Sequence, residues 1–127
     1  MIVIGVGCRK DCSADEIVGL INRTLTQCGL TIKDASIIAT ASIKLEEVML
    51  KRAAVMLGLK IKYVPREELE AVAVHAKTIS PRVLALHEIP SIAETAALAA
   101  AGKNATLLMP RITSNAAACA IAKGDDA

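Results

Sequence analysis

Aromatic side chains are almost absent: Tyr63 stands alone, with no Phe and no Trp among 127 residues. Base stacking therefore has no platform, which removes the usual means of holding single-stranded nucleic acid. A core must instead come from Val, Ile, Leu, Ala and Met, and the 54% hydrophobic content supplies it. Excess charge is scarce too. A formal net charge of +2 is too small for a nucleic-acid surface. Apolar runs long enough for a bilayer are missing, because Lys and Glu interrupt them, so no membrane partner is expected. No charged segment precedes an apolar one at the N-terminus, as a signal peptide would require, and the cytoplasm is the expected compartment.

Metal and nucleotide signatures are equally thin. The four cysteines, Cys8, Cys12, Cys28 and Cys119, form no paired C-x-x-C knuckles, and neither His sits at a finger spacing. They read as reduced, partly buried thiols, and no metal is expected. Gly5 and Gly7 begin a G-x-G-x-x-G pattern that fails at Lys10, and no acid closes the second strand. The P-loop, G-x-S-x-G and H-E-x-x-H patterns are absent. No cofactor is expected, and His75 and His87 read as surface residues rather than bases.

What is present begins with Met1 to Cys12. Ile2-Val3-Ile4 reads as a buried strand running into Gly5-Val6-Gly7, then Cys8, Arg9, Lys10, Asp11 and Cys12 before a helix. An apolar strand that ends in glycines and cations at a helix start is how open α/β sheets build anion sites. Ser13-x-x-Glu16 reads as a capping box, and Ile17, Leu20, Ile21 and Leu25 mark one face of the helix, closed by Gly29. Ser36 to Ala41 is a second strand. A second helix runs from near Lys44 to Gly58, with Glu46 and Glu47 in its first turn. Lys60 to Val64 is a third strand, and Pro65 opens a third helix. The pattern weakens from Ala73 to Pro90. Ser91-x-x-Glu94 is a second capping box, ahead of an alanine-rich helix ending at Gly102. Thr106 to Met109 reads as a strand stopped by Pro110, and Cys119 to Ala122 as the last strand.

The order predicts one domain over residues 1–123, with a frayed tail at 124–127. The expected fold is α/β, a three-layer α/β/α sandwich with an open, mostly parallel (mixed) sheet of about five strands. The alanine-rich helix implies close packing, inside the domain or across a homodimer. In such a sheet the carboxyl ends of the strands share an edge with the helix N-termini. That edge should collect Gly7, Cys8 and Arg9, then Ser42 and Lys44, then Arg111, Ser114 and Asn115, and the helix start at Ser91 and Glu94. Three cations and several hydroxyls there suit a ligand with several carboxylates or phosphates.

The chain also resembles a family as a whole. Gly5-Val6-Gly7-Cys8-Arg9 is similar to the G-x-G-C-R opening of the CobE/CbiG C-terminal-domain family of cobalamin biosynthesis. Lys44, Glu47 and Leu50 match a second block, with Val48-Met49 where the family usually has Pro-Gly. Glu67-Glu68-Leu69 resembles its S-A-E-E-L helix start, with Pro65 where Ser is usual. Ser91-Ile92-Ala93-Glu94 followed by Ala96-Ala97-Leu98 resembles S-V-A-E-A-A-A-L. Pro110-Arg111 with Cys119 to Ala122 is similar to the ending of stand-alone members, and Ser114 and Asn115 keep part of the longer members' ending.

The resemblance implies a ligand: a corrin or precorrin intermediate, a macrocycle edged by carboxylates. It implies ligand-binding roles for Gly5, Gly7, Cys8, Arg9, Ser42, Lys44, Glu47, Ser91, Glu94, Arg111, Ser114 and Asn115. Longer members act as cobalt-precorrin-5A hydrolases, so lactone opening is an alternative to binding, with Glu94 or Glu47 as base and Cys8 as nucleophile. Docking on another enzyme of the pathway is a third reading.

Overall fold

The computed structural model describes residues 1–42, 47–78 and 91–125. Among these, five strands form one sheet in the order β3-β2-β1-β5-β4. The strands are β1 (Ile2–Cys8), β2 (Ile37–Ala41), β3 (Ile61–Val64), β4 (Lys103–Thr113) and β5 (Ala117–Asp125). The described α-helices are α1 (Ala14–Gln27), α2 (Val48–Leu57), α3 (Arg66–Val72) and α4 (Ile92–Ala101). None is long and apolar enough to cross a membrane.

β1, β2 and β3 pair in parallel, with Ile4 opposite Ile38 and Ala39 opposite Lys62. β5 runs antiparallel to both β1 and β4. β4 therefore points the same way as β1, and its carboxyl end lies on the same edge of the sheet. The expected mixed α/β sheet is what the chain forms.

Side-chain alternation along β1 divides the core. Ile4, Val6 and Cys8 face α1 and α2, packing with Ile17, Leu20, Ile21, Leu25 and Leu50. Val3 faces the other way, into a layer with Leu69 and the alanines of α4. Helices cover both faces, and the sheet is the middle layer of three.

α4 is buried on nearly every side, with only Ala99 partly exposed along its length. Two glycines make this possible. A Cβ on Gly5 would lie 1.9 Å from the Ala93 carbonyl oxygen, and one on Gly124 would lie 2.3 Å from that of Ala101. The alanines thus serve packing inside the domain, and the missing side chains of β1 and β5 admit the helix backbone.

Three element boundaries depart from the sequence reading. Pro110 does not stop β4 but sits within it, between Met109 and Ile112, where the pairing register shifts. An edge strand tolerates proline because its outer N–H has no ladder partner to lose. β5 begins earlier than Cys119 and continues to Asp125. Gly124 belongs to the sheet: its N–H donates to the Met1 carbonyl at 3.1 Å, and the Met1 amino group donates back to Gly124 O at 3.0 Å. α2 is described from Val48, with Glu47 as its N-cap. The start expected near Lys44 lies outside the described residues, as do Lys44 itself and His87.

Candidate functional site at the carboxyl edge of the sheet

β1 ends at Cys8, and Arg9 follows with its N–H donating to Ala116 O at 2.8 Å. That bond ties the β1 exit to the connection between β4 and β5. α4 starts beside it. A Cβ placed on Gly7 would touch Ile92 at an ordinary 3.6 Å. Both α1 and α4 thus begin at this edge, with serine N-caps: Ser13 Oγ accepts from Glu16 N at 3.1 Å, and Ser91 Oγ from Glu94 N at 3.3 Å.

The two glutamates do not complete the expected capping boxes, in which each carboxylate would return to its own cap. The Glu16 carboxylate instead accepts from the Ser114 hydroxyl and, at 2.6 Å, from the Ala116 amide. These bonds, first the Ser114 hydroxyl and then the amide, hold the Glu16 carboxyl below its ordinary range. Arg23, on the same helix, donates to Thr113 O at 3.0 Å. α1 therefore grips the β4–β5 connection from one face of the sheet.

Glu94 grips the end of β4 from the other face. It is fully buried. One oxygen accepts from the Lys77 and Thr78 amides, each at 2.8 Å, and the other from the Arg111 amide at 2.8 Å. A buried carboxyl group is tolerable only with such donors. Glu94 thereby places Lys77 and Arg111 next to one another at the start of α4, although they are far apart in sequence.

Most of the expected site residues reach this edge. Gly7, Cys8, Arg9, Ser42, Glu47, Ser91, Glu94, Arg111, Ser114 and Asn115 lie at strand exits, helix starts or the β4–β5 connection. Among these, Arg9, Ser42 and Asn115 are exposed, and Gly7, Glu47, Arg111 and Ser114 are partly so. Gly5 lies deeper, beneath α4, and its role is packing. Ser91 and Glu94 are buried and bonded within the fold. Cys8 is also buried, its position on β1 pointing toward the α1–α2 layer. Burial, and next the neighbouring Glu16, push the Cys12 thiol up to about 12, and burial does the same for Cys119. Such thiols stay protonated near neutrality and are poor nucleophiles.

Glu16, Arg23 and Lys77 escape a reading of the sequence as site residues. Glu16 was visible only as half of a capping box, and Lys77 falls in a stretch without pattern. Among the described residues no group of three or more His, Cys, Asp or Glu is placed to hold a metal ion. The edge offers cations, hydroxyls and helix N-termini, which is chemistry for holding anions.

Comparison with known proteins agrees with this architecture. Residues 2–122 match the family model described as Cobalamin synthesis G C-terminus. The chain belongs to this family. It is 31% identical over 121 residues to Protein CobE of Sinorhizobium sp., covering 95% of this chain and 79% of the relative. The crystal structure of a CobE from the cobalamin (vitamin B12) pathway superposes with a TM-score of 0.91 at 28% identity, over 96% of this chain and 89% of that one. Cobalamin biosynthesis protein chiG from Agrobacterium tumefaciens str. C58 is 34% identical, with a TM-score of 0.78 over 99% and 100% of the two chains. A putative cobalamin biosynthesis protein G homolog from Sulfolobus solfataricus is 25% identical, with a TM-score of 0.70. There the match covers 98% of this chain but 37% of the longer one. Membership of the Cobalamin synthesis G C-terminus family makes this a cobalamin biosynthesis protein.

Proposed function

We propose that this protein binds a corrin-ring intermediate through the carboxylates at the ring's edge. The observation that carries the reading is the gathering of Arg9, Lys77 and Arg111 at one sheet edge beside the start of α4. A carboxylate arriving there meets cations and a helix N-terminus, both of which favour negative charge. Exposed Ser42 and Asn115 add hydrogen-bonding partners for the same groups. Gly7, without a side chain, keeps the floor of the site low.

Hydrolysis is the weaker reading. Both oxygens of Glu94 are taken by main-chain amides, which leaves it poorly suited to receive a proton from water. Cys8 is buried. Glu47, at the start of α2, is the remaining candidate base.

A docking role has one observation in its favour: Val48, Val55 and Met56 stand exposed on α2. A partner enzyme of the same pathway would cover them, and the Val55→Asp variant would then lose co-purification with that enzyme while keeping ligand binding.

The experiment for the main reading is a visible-spectrum titration with cobyrinic acid, a corrin with free carboxylates. Binding should shift or quench the corrin bands, and Arg111→Ala and Arg9→Ala should each weaken it. An unchanged spectrum at saturating protein would refute the proposal.

A further inference from the structure

We propose that the exposed face of α2 is a docking surface for a different protein, one that presents an apolar ridge flanked by carboxylates. This rests on the docking reading and adds the partner's chemistry, without needing ligand binding at the carboxyl edge. α2 turns Leu50, Ala53 and Ala54 into the core, which fixes what it shows to solvent. Val48, Val55 and Met56 are 58%, 80% and 54% exposed, and Lys51 and Arg52 are exposed with them. Val48 and Val55 stand one heptad apart, so they fall almost on one line along the helix. Lys51 lies to one side of that line, and Arg52 and Met56 to the other. Single apolar side chains scattered over a surface are ordinary. A line of them bracketed by charge is the layout of a seam between helices.

The two cations are unclaimed within the domain. α2 carries no acid from Val48 to Leu57. Among the described residues neither Lys51 nor Arg52 joins a salt bridge, not even with the N-cap residue Glu47, whereas Arg66 of α3 is paired with Glu70. Charge then decides between occupants. A second copy laid along the same line sets cation on cation in either direction. Antiparallel, Lys51 meets Lys51 on one flank and Arg52 meets Arg52 on the other; parallel, each Lys51 meets an Arg52. Such like-charge contacts work against self-association. A lipid surface fits poorly too, because helices that lie in it seat Trp, Phe or Leu, and this line offers two valines and Met56. A protein ridge with Asp or Glu on both flanks answers the apolar line and both cations together. In the longer homolog from Sulfolobus solfataricus the match takes only 37% of the chain, so the family's fold does occur joined to further protein.

The test uses the intact chain and the other enzymes of the cobalamin pathway, purified one at a time, with binding kinetics as the readout. One of them should bind with a Kd of about 10 μM or tighter. Val55→Asp should weaken that binding by about tenfold or more, the scale of burying one valine. The double variant Lys51→Glu with Arg52→Glu should weaken it by about tenfold, chiefly by slowing association, and added salt should slow the wild-type chain in the same way. Both variants should keep the wild-type melting temperature, since the substituted side chains are exposed. Binding that ignores the charge reversal overturns the acidic partner and leaves the docking reading standing. Three results overturn both: no binding by any of the enzymes, self-association of the wild-type chain that Val55→Asp abolishes, or attachment to phosphatidylglycerol vesicles that Val55→Asp abolishes.

Discussion

A carboxylate that accepts from a hydroxyl and an amide is more stable charged than neutral, and the Glu16 carboxyl is accordingly held below its ordinary range. The folded state then binds that proton less readily than the unfolded chain. Stability from this group is present above the unfolded value and is lost as the pH falls through the lower, folded value. Glu16→Gln should be less stable than wild type near neutrality, and the gap should close in acid. Urea unfolding at a series of pH values measures this, and a gap independent of pH would contradict it. Thiols offer a second expectation. Cys12 and Cys119, both raised to about 12, should react with a maleimide only when the protein unfolds. Rapid labelling of either in the native protein would contradict the burial. Residue-scale roles were the least legible part of the sequence. Ser13-x-x-Glu16 and Ser91-x-x-Glu94 carry the pattern of a local cap, and the serines do cap. The carboxylates are claimed by partners about a hundred residues away for Glu16, and 16 and 17 residues away for Glu94. No local pattern encodes such a pairing, because the competing acceptor exists only once the sheet has formed.

Elements were easier to read, since their signals are local. The periodicity of α1, the capped alanine run of α4 and the apolar runs of β1, β2 and β5 all appear where side-chain spacing places them. The misread boundaries share one cause. Pro110 disrupts a strand only where the ladder needs an N–H at that position, and that depends on β4 being at the edge, which topology decides. Likewise, Gly124 and Asp125 look like a tail until Gly124 bonds to Met1 and Asp125 pairs with Lys103 of β4. α4 is the element whose fit is most constrained. Adding a methyl at Gly5 drives it into the Ala93 carbonyl, so Gly5→Ala should destabilise by about 3 kcal/mol, at the upper end of ordinary overpacking. Gly124→Ala meets the same helix at Ala101. A helix displaced by one substitution already makes room for the other, so the double variant should cost less than the sum of the two. Thermal or urea unfolding of the three variants gives the comparison. Strict additivity would mean that the two ends of α4 yield independently.

At the scale of the whole molecule, a parallel half (β1, β2, β3) joins an antiparallel half (β5, β4) at β1, and the candidate site lies where the two meet. The class of fold was legible in the sequence, as was the sheet edge on which most of the candidate residues lie. The sequence did not show that the end of β4 and its connection to β5 would be fastened from both faces. A ligand held by cations at this edge should raise the melting temperature, since it binds only the folded chain. Salt should reduce that rise by screening exposed charges. A rise in melting temperature with cobyrinic acid that is insensitive to salt would point to apolar contacts instead. The pairing of Met1 with Gly124 has a mechanical consequence. β1 and β5 are antiparallel neighbours, and their paired ends emerge together on the side of the sheet opposite the site. A pull applied between Met1 and Gly124 would load the ladder one rung at a time, like a zip, rather than shearing every rung at once. The fold should then yield at low force from that end, while the opposite edge, at Cys8 and Ala117, is the last to open and stays closed longest.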